Sequence, residues 1–263
     1  MKRLILMLLL FSLNVSVGQI LKVDKGSLLL DTTNVLIGNV GLNFNLNNQS
    51  ATSEEQIYFV GLKATSDLAY LRNQHAYILI TSVNYFKSTG GPLVSTGYAH
   101  GRVNFLRMRK LSYETYAQVQ YDDGRNMPYR FLIGGGMRLS ILKSEKSSVH
   151  LGIGAMREQE NWKNIQADNA IIEKRIWKTS SYLGINTAFN EVVSFHLAGY
   201  YQGGWDRVDE IFRNRTSIDF QFRVKVTDRL GYVISYTGQY EDKPIIPINN
   251  FVFTLTNGLM WNF

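Results

Sequence analysis

The chain contains no cysteine. That removes disulfides, thiolate metal sites, a cysteine nucleophile and a lipidated N-terminal cysteine together. Proline is also scarce, with 4 residues in 263, as suits strands, where proline would delete a ladder donor. Beyond the N-terminus no apolar run approaches the roughly 20 residues that a membrane helix needs. Mean hydropathy is only −0.12 although 45% of residues are hydrophobic, so the apolar residues are spread out. Aromatics are plentiful, with 15 Tyr and 14 Phe, and these fit a pleated surface. The formal charge is +7. Lys2 and Arg3 supply two of those charges, which leaves 7 − 2 = +5 for the rest of the chain. The basic residues are scattered, a distribution suited to anionic lipid head groups and not to nucleic acid.

The N-terminus reads as an export signal. Lys2 and Arg3 precede an apolar stretch from Leu4 to Val15, and Ser16, Val17 and Gly18 supply the small residues of a cleavage site. The expected organisation is a signal peptide over 1–18, a periplasmic lead-in over 19–33 and a single domain over 34–263.

That domain alternates. Val40, Leu42, Phe44 and Leu46 interleave with Asn39, Gly41, Asn43, Asn45 and Asn47. In a strand this places every apolar group on one face, whereas a helix would scatter them. Similar alternation recurs about every 20 residues, as in Tyr113–Tyr121, Phe131–Leu139 and Ile218–Val224. The count is about twelve strands of the ten-residue class expected of a membrane barrel. Short connections, such as 71–74 and 143–147, alternate with longer ones, notably 48–55, 161–175, 203–215 and 242–250. Short turns at one end and longer loops at the other belong to an all-β, up-and-down antiparallel transmembrane barrel.

Alternation alone does not separate a membrane barrel from a soluble one, which turns its apolar face inward. The aromatic pairs near strand ends, Tyr113 with Tyr121 and Tyr232 with Tyr240, suit interfacial girdles. The polar face carries charged residues. Leu259, Trp261 and the final Phe263 resemble the C-terminal signal read by the outer-membrane assembly machinery, with Asn257 interrupting it. With the leader, these point to a bacterial outer membrane, with its lipids and that machinery as partners.

The run Ser95-Thr96-Gly97-Tyr98-Ala99-His100-Gly101-Arg102-Val103-Asn104 resembles a strand of the DUF481 family. Leu111-Ser112-Tyr113-Glu114, Gln118 to Tyr121, Arg130 with Gly134 to Gly136 and Arg138, and Glu158, Glu160 and Trp162 match as well. The resemblance covers most of 34–263. It implies a salt-induced outer-membrane barrel and brings no chemistry with it.

Ten residues fall on the polar faces of four successive strands: His100, Arg102, Asn104, Glu114, Gln118, Gln120, Arg130, Arg138, Glu158 and Glu160. They are expected to meet inside the barrel, either as a charge network filling a narrow lumen or as a polar lining that selects a solute. A narrow passive or selective pore is the first functional expectation, a closed structural or adhesion barrel the second, and a lipid-modifying enzyme a distant third. Serine hydrolysis needs a histidine beside its nucleophile. Arg102 stands where an outer-membrane lipase would carry serine, and His100 belongs to the inner face. No catalytic, metal or cofactor site is expected, and Gly134 to Gly136 suits close packing or a bend.

Overall fold

The computed structural model describes residues 35–48, 58–89, 91–144, 146–227 and 230–261. The leader, the lead-in and Phe263 lie outside the described residues. Leu259 and Trp261 lie on the last strand, at positions where only the backbone is described.

The described chain is strand throughout, apart from turns. The strands are β1 (Val35–Asn48), β2 (Tyr58–Arg72), β3 (His75–Ser88), β4 (Gly91–Phe105), β5 (Leu111–Asp122), β6 (Met127–Lys143), β7 (Ser147–Asn164), β8 (Ala170–Ala188), β9 (Val193–Asp206), β10 (Ile211–Lys225), β11 (Leu230–Glu241) and β12 (Phe251–Trp261). They form one 12-stranded sheet in sequence order, every neighbour antiparallel. This is the up-and-down order. Among the described residues no ladder joins β12 to β1.

The strands are longer than their alternation suggests. β6, β7 and β8 have 17, 18 and 19 residues, against about 9–11 for a strand that just crosses a bilayer. The connections expected at 161–175 and 203–215 are therefore mostly ladder. β7 and β8 stay paired to Asn164 and Ala170, and β9 and β10 to Asp206 and Ile211. A single 3-10 turn, Ile165–Ala167, with Asp168 and Asn169 at positive φ, closes the first of these hairpins. Of the connections at this end, 49–57 and 242–250 are long and the others are about as short as the turns opposite.

The sheet curls, because side chains from distant strands meet on one side of it. Tyr182 on β8 donates its hydroxyl to Glu114 on β5 at 2.9 Å, and Arg215 on β10 reaches Glu158 on β7 at 2.8 Å. The convex side carries exposed Leu79, Val119, Ile133, Met137, Ile153 and Leu255. Glycines on β6 and β7 permit tight coiling. A Cβ on Gly136 would meet the Gly154 Cα at 2.7 Å, and one on Gly152 would collide with the Tyr182 ring. The mid-strand glycines expected to serve packing sit where two backbones and a ring approach each other.

Candidate functional site

The concave side gathers the charged residues into two levels. At the end bearing the long connections, Glu158 and Glu160 project inward from β7, each 2% exposed. Arg130 on β6 donates Nε to Glu158 at 2.7 Å and lies 3.2 Å from Glu160. Arg215 bridges both carboxylates, at 2.8 and 2.7 Å, and donates Nε to Glu241 at 3.0 Å. Lys178 on β8 pairs with the second oxygen of Glu158. Arg125, from the 3-10 turn after β5, completes the layer by pairing with Glu241 at 3.3 Å. Bare charges at this depth would be costly, and mutual pairing is what lets them stay ionised.

Above this layer sits an apolar cap. Met127, Trp162 and Ile246 are buried together, with Ile172, Ile245 and Ile248 against them. Trp162 is 0% exposed. Its indole donates to Glu160 at 3.1 Å, while Arg125 lies over its ring. Ile245, Ile246 and Ile248 belong to the 242–250 connection, which folds back into the mouth. The segment is pinned at its base. The Asn214 amide donates to Asp242 at 2.7 Å, and Arg213 donates to the Lys243 carbonyl. Arg213 and Lys174 are in turn held by Asp206, at 2.9 and 3.2 Å.

Below the layer lies a cavity of about 90 Å³ lined by residues from β3 to β11, among them Tyr98, His100, Arg102, Tyr116, Tyr182 and Tyr200. A hydrogen-bonded relay joins this level to the layer above. His100 Nδ1 meets Gln118 Oε1 at 3.0 Å, Gln118 donates to Gln120 at 3.0 Å, and Arg130 donates to the same Gln120 oxygen at 3.2 Å. Arg102 is 3.6 Å from Glu114 and flanked by the rings of Tyr116 and Tyr182.

The sequence-derived residues thus divide. His100, Gln118, Gln120, Arg130, Glu158 and Glu160 form one connected set, and Arg102 and Glu114 form a second around the tyrosines. Asn104 is buried on the inner face, and its side-chain oxygen has no hydrogen bond among the described residues. Arg138 is half-buried, and among the described residues no ion pair holds its guanidinium. The sequence reading missed Lys178, Arg213, Arg215, Glu241 and the isoleucine-rich cap. The signal for two of them was Arg213 and Arg215 in alternate positions, hidden inside a stretch read as loop.

Taken together, the molecule is an all-β antiparallel sheet, polar and charged within and apolar without. Its sequence matches the family model described as "Protein of unknown function, DUF481" over residues 42–263, and the chain belongs to that family. No curated protein matches it. Among solved structures it is similar to the TodX monoaromatic hydrocarbon channel deltaS2 mutant, at 10% identity and a TM-score of 0.44, over 90% of this chain and 83% of that one. An overlap that loose says nothing about what this chain carries.

Proposed function

We propose that the protein is an outer-membrane β-barrel, closed by β12 against β1, whose resting form is shut at the loop end and does not conduct. The observation that carries this reading is the double closure of the mouth, an ion-paired layer around Glu158 beneath a cap in which Trp162 is 0% exposed. Dry, fully paired charges leave no file of water for an ion to follow.

The membrane part of the reading rests on the convex face. Exposed apolar side chains run across all the strands there, far beyond the patch of a few hundred Å² that soluble monomers tolerate. On β7 that face changes along the strand, from Leu151, Ile153 and Ala155 to Arg157, Gln159, Asn161 and Lys163. The change marks the edge of the apolar band, and Trp177, under Arg157 at 5.5 Å, sits on it. Trp205 and Tyr240 are exposed near the same end, as interfacial girdles require. The Glu158 layer therefore lies at or above the band's edge, and the loop end faces outward with the termini on the periplasmic side.

A narrow pore is the second reading, and the cavity beneath the layer favours it. Planar-bilayer recording of the purified full chain separates the two. The native protein is expected to give no conductance steps at neutral pH. Steady channels from the native chain would overturn the shut reading and leave the pore. Orientation is tested independently: a protease added to intact cells should cut within 49–57 or 242–250, and cleavage confined to 143–147 would reverse the topology.

A further inference from the structure

The cavity below the charged layer has a lining whose balance differs from that of the barrel interior as a whole. Its charged residues are Arg102, Arg130, Arg215 and Glu114. Glu158, Glu160 and Glu241, the partners of Arg130 and Arg215, stand on the far side of those guanidiniums and do not line the cavity. A small guest therefore faces three cations and one carboxylate. Arg102 is the least committed of the three. It is 8% exposed, its contact with Glu114 is 3.6 Å, longer than a hydrogen bond, and its Nε has no partner among the described residues.

Two buried acceptors belong to residues of the lining. The Gln120 oxygen receives both Arg130 and the Gln118 amide. Gln118 must then turn its own oxygen to His100, so His100 carries its hydrogen on Nδ1. His100 Nε2 is left with its lone pair buried and without a hydrogen-bond partner among the described residues. Gln202 Oε1, also in the lining, has none either. A buried acceptor left alone is costly, because it has given up water for nothing, so both ask for a hydrogen.

We propose that this cavity is a binding site for a small oxyanion that also carries an O–H, hydrogencarbonate being the smallest of that class. The oxyanion answers the guanidiniums and the hydroxyl answers an acceptor. The volume of about 90 Å³ suits a guest of a few water-sized groups. The guest arrives from the turn end, since the other end is shut. On that route Arg138 on β6 and Arg223 on β10 are half-buried toward the interior, and among the described residues neither has an ion pair.

This assignment rests on the barrel reading only for an interior reached from the periplasmic side, and its test does not use conductance. Thermal unfolding of the full chain in detergent is followed at pH 8 and constant ionic strength, with chloride replaced stepwise by hydrogencarbonate, nitrate or gluconate. Hydrogencarbonate should raise the midpoint saturably. Nitrate, which has no hydrogen to give, should raise it less, and gluconate, too large, not at all. Arg102→Gln should remove the hydrogencarbonate response. Ser217→Leu should remove it too, by filling the cavity with all three arginines retained, and this covers the case in which Arg102→Gln fails to fold. Arg157→Gln, on the convex face of β7, should keep it. A native midpoint that responds equally to hydrogencarbonate and gluconate would overturn the site. An equal response to nitrate would overturn the role of the two acceptors, and so would a response that survives in Ser217→Leu for the cavity itself.

Discussion

Arg215 on β10 donates to Glu158 on β7 across the interior at 2.8 Å, and Glu158 also holds Arg130 and Lys178. One carboxylate therefore neutralises cations from three other strands. Glu158→Ala leaves three buried cations to share Glu160 and Glu241, so the loss should be about 3–5 kcal/mol, the cost of breaking a buried pair from one side. Urea unfolding followed by electrophoretic mobility of unheated samples measures it. A loss below about 1 kcal/mol, the worth of an exposed pair, would mean that water already enters the layer.

The Tyr182 ring lies where a Cβ on Gly152 would stand, and this placement lets its hydroxyl reach Glu114 at 2.9 Å. Gly152→Ala should push the ring away and break that bond, at a cost of about 1–3 kcal/mol for overpacking. Gly101→Ala is the matched control, because a Cβ there meets nothing within 4 Å. Equal midpoints for the two variants would show that the ring has freedom to move.

Most of the inner and outer faces could be read where one side of a strand meets an apolar surrounding. Phe131, Ile133 and Met137 on one side and Arg130 and Arg138 on the other gave β6 its assignment, and the structure orients them so. Legibility failed in two places, each for a physical reason. Past Glu160, β7 and β8 carry Asn161, Lys163, Glu173 and Arg175 outside and Lys174 inside. Polar alternating with polar shows no period, so these strand ends read as loops, and Lys178, Arg213 and Arg215 were lost near or within them. On β3 the faces blurred for the opposite reason. Ile78 and Ile80 point inward, into a buried cluster with Ala69 and Leu71, while Tyr77, Leu79 and Val83 are exposed outside. Apolar alternating with apolar is equally silent. The charge layer joins β7 to β10, and no single-sequence periodicity reports which non-adjacent strands meet.

Acid should release the cap before it unfolds the sheet. Burial works against ionised Asp242, but hydrogen bonds from the Asn214 amide and side chain, with Lys243 beside it, hold its carboxyl below the ordinary value. A depressed carboxylate contributes stability that is whole above its unfolded pKa and is lost as pH falls through the folded one. The anchor of 242–250 should therefore hold at neutral pH and weaken below about pH 4, the ordinary aspartate value. The chain has 4 Trp. With the other three replaced by Phe, acrylamide quenching of Trp162 reads the cap directly. Quenching should rise in that acid range, and Asp242→Asn should show raised quenching at neutral pH already. Quenching that stays flat to pH 2 would mean the segment is held by its isoleucines alone.

Ile246 tests whether cap and layer act in series. It is 4% exposed and packs on Met127 and Trp162, at the tip of a segment whose base is fixed by Asp242 and Lys243. Ile246→Ala removes part of the contact and should cost about 2 kcal/mol, the low end for a buried aliphatic residue, since a loop can partly collapse onto the space. Ile246→Asp should do more, because a carboxylate among isoleucines must find water or leave, and leaving lifts 242–250 off the mouth. Lifting it uncovers Trp162 but leaves Arg130, Lys178 and Arg215 still paired with Glu158 and Glu160. The expected result is thus a split: strong quenching of Trp162 in Ile246→Asp, with no conductance. Conductance should appear only when Glu158→Ala is added, because the ion-paired layer is the inner barrier. Channels in Ile246→Asp alone would place the whole barrier in the cap. A double variant that stays silent would mean that the interior is blocked lower down, at the level of Arg102 and the tyrosines around it.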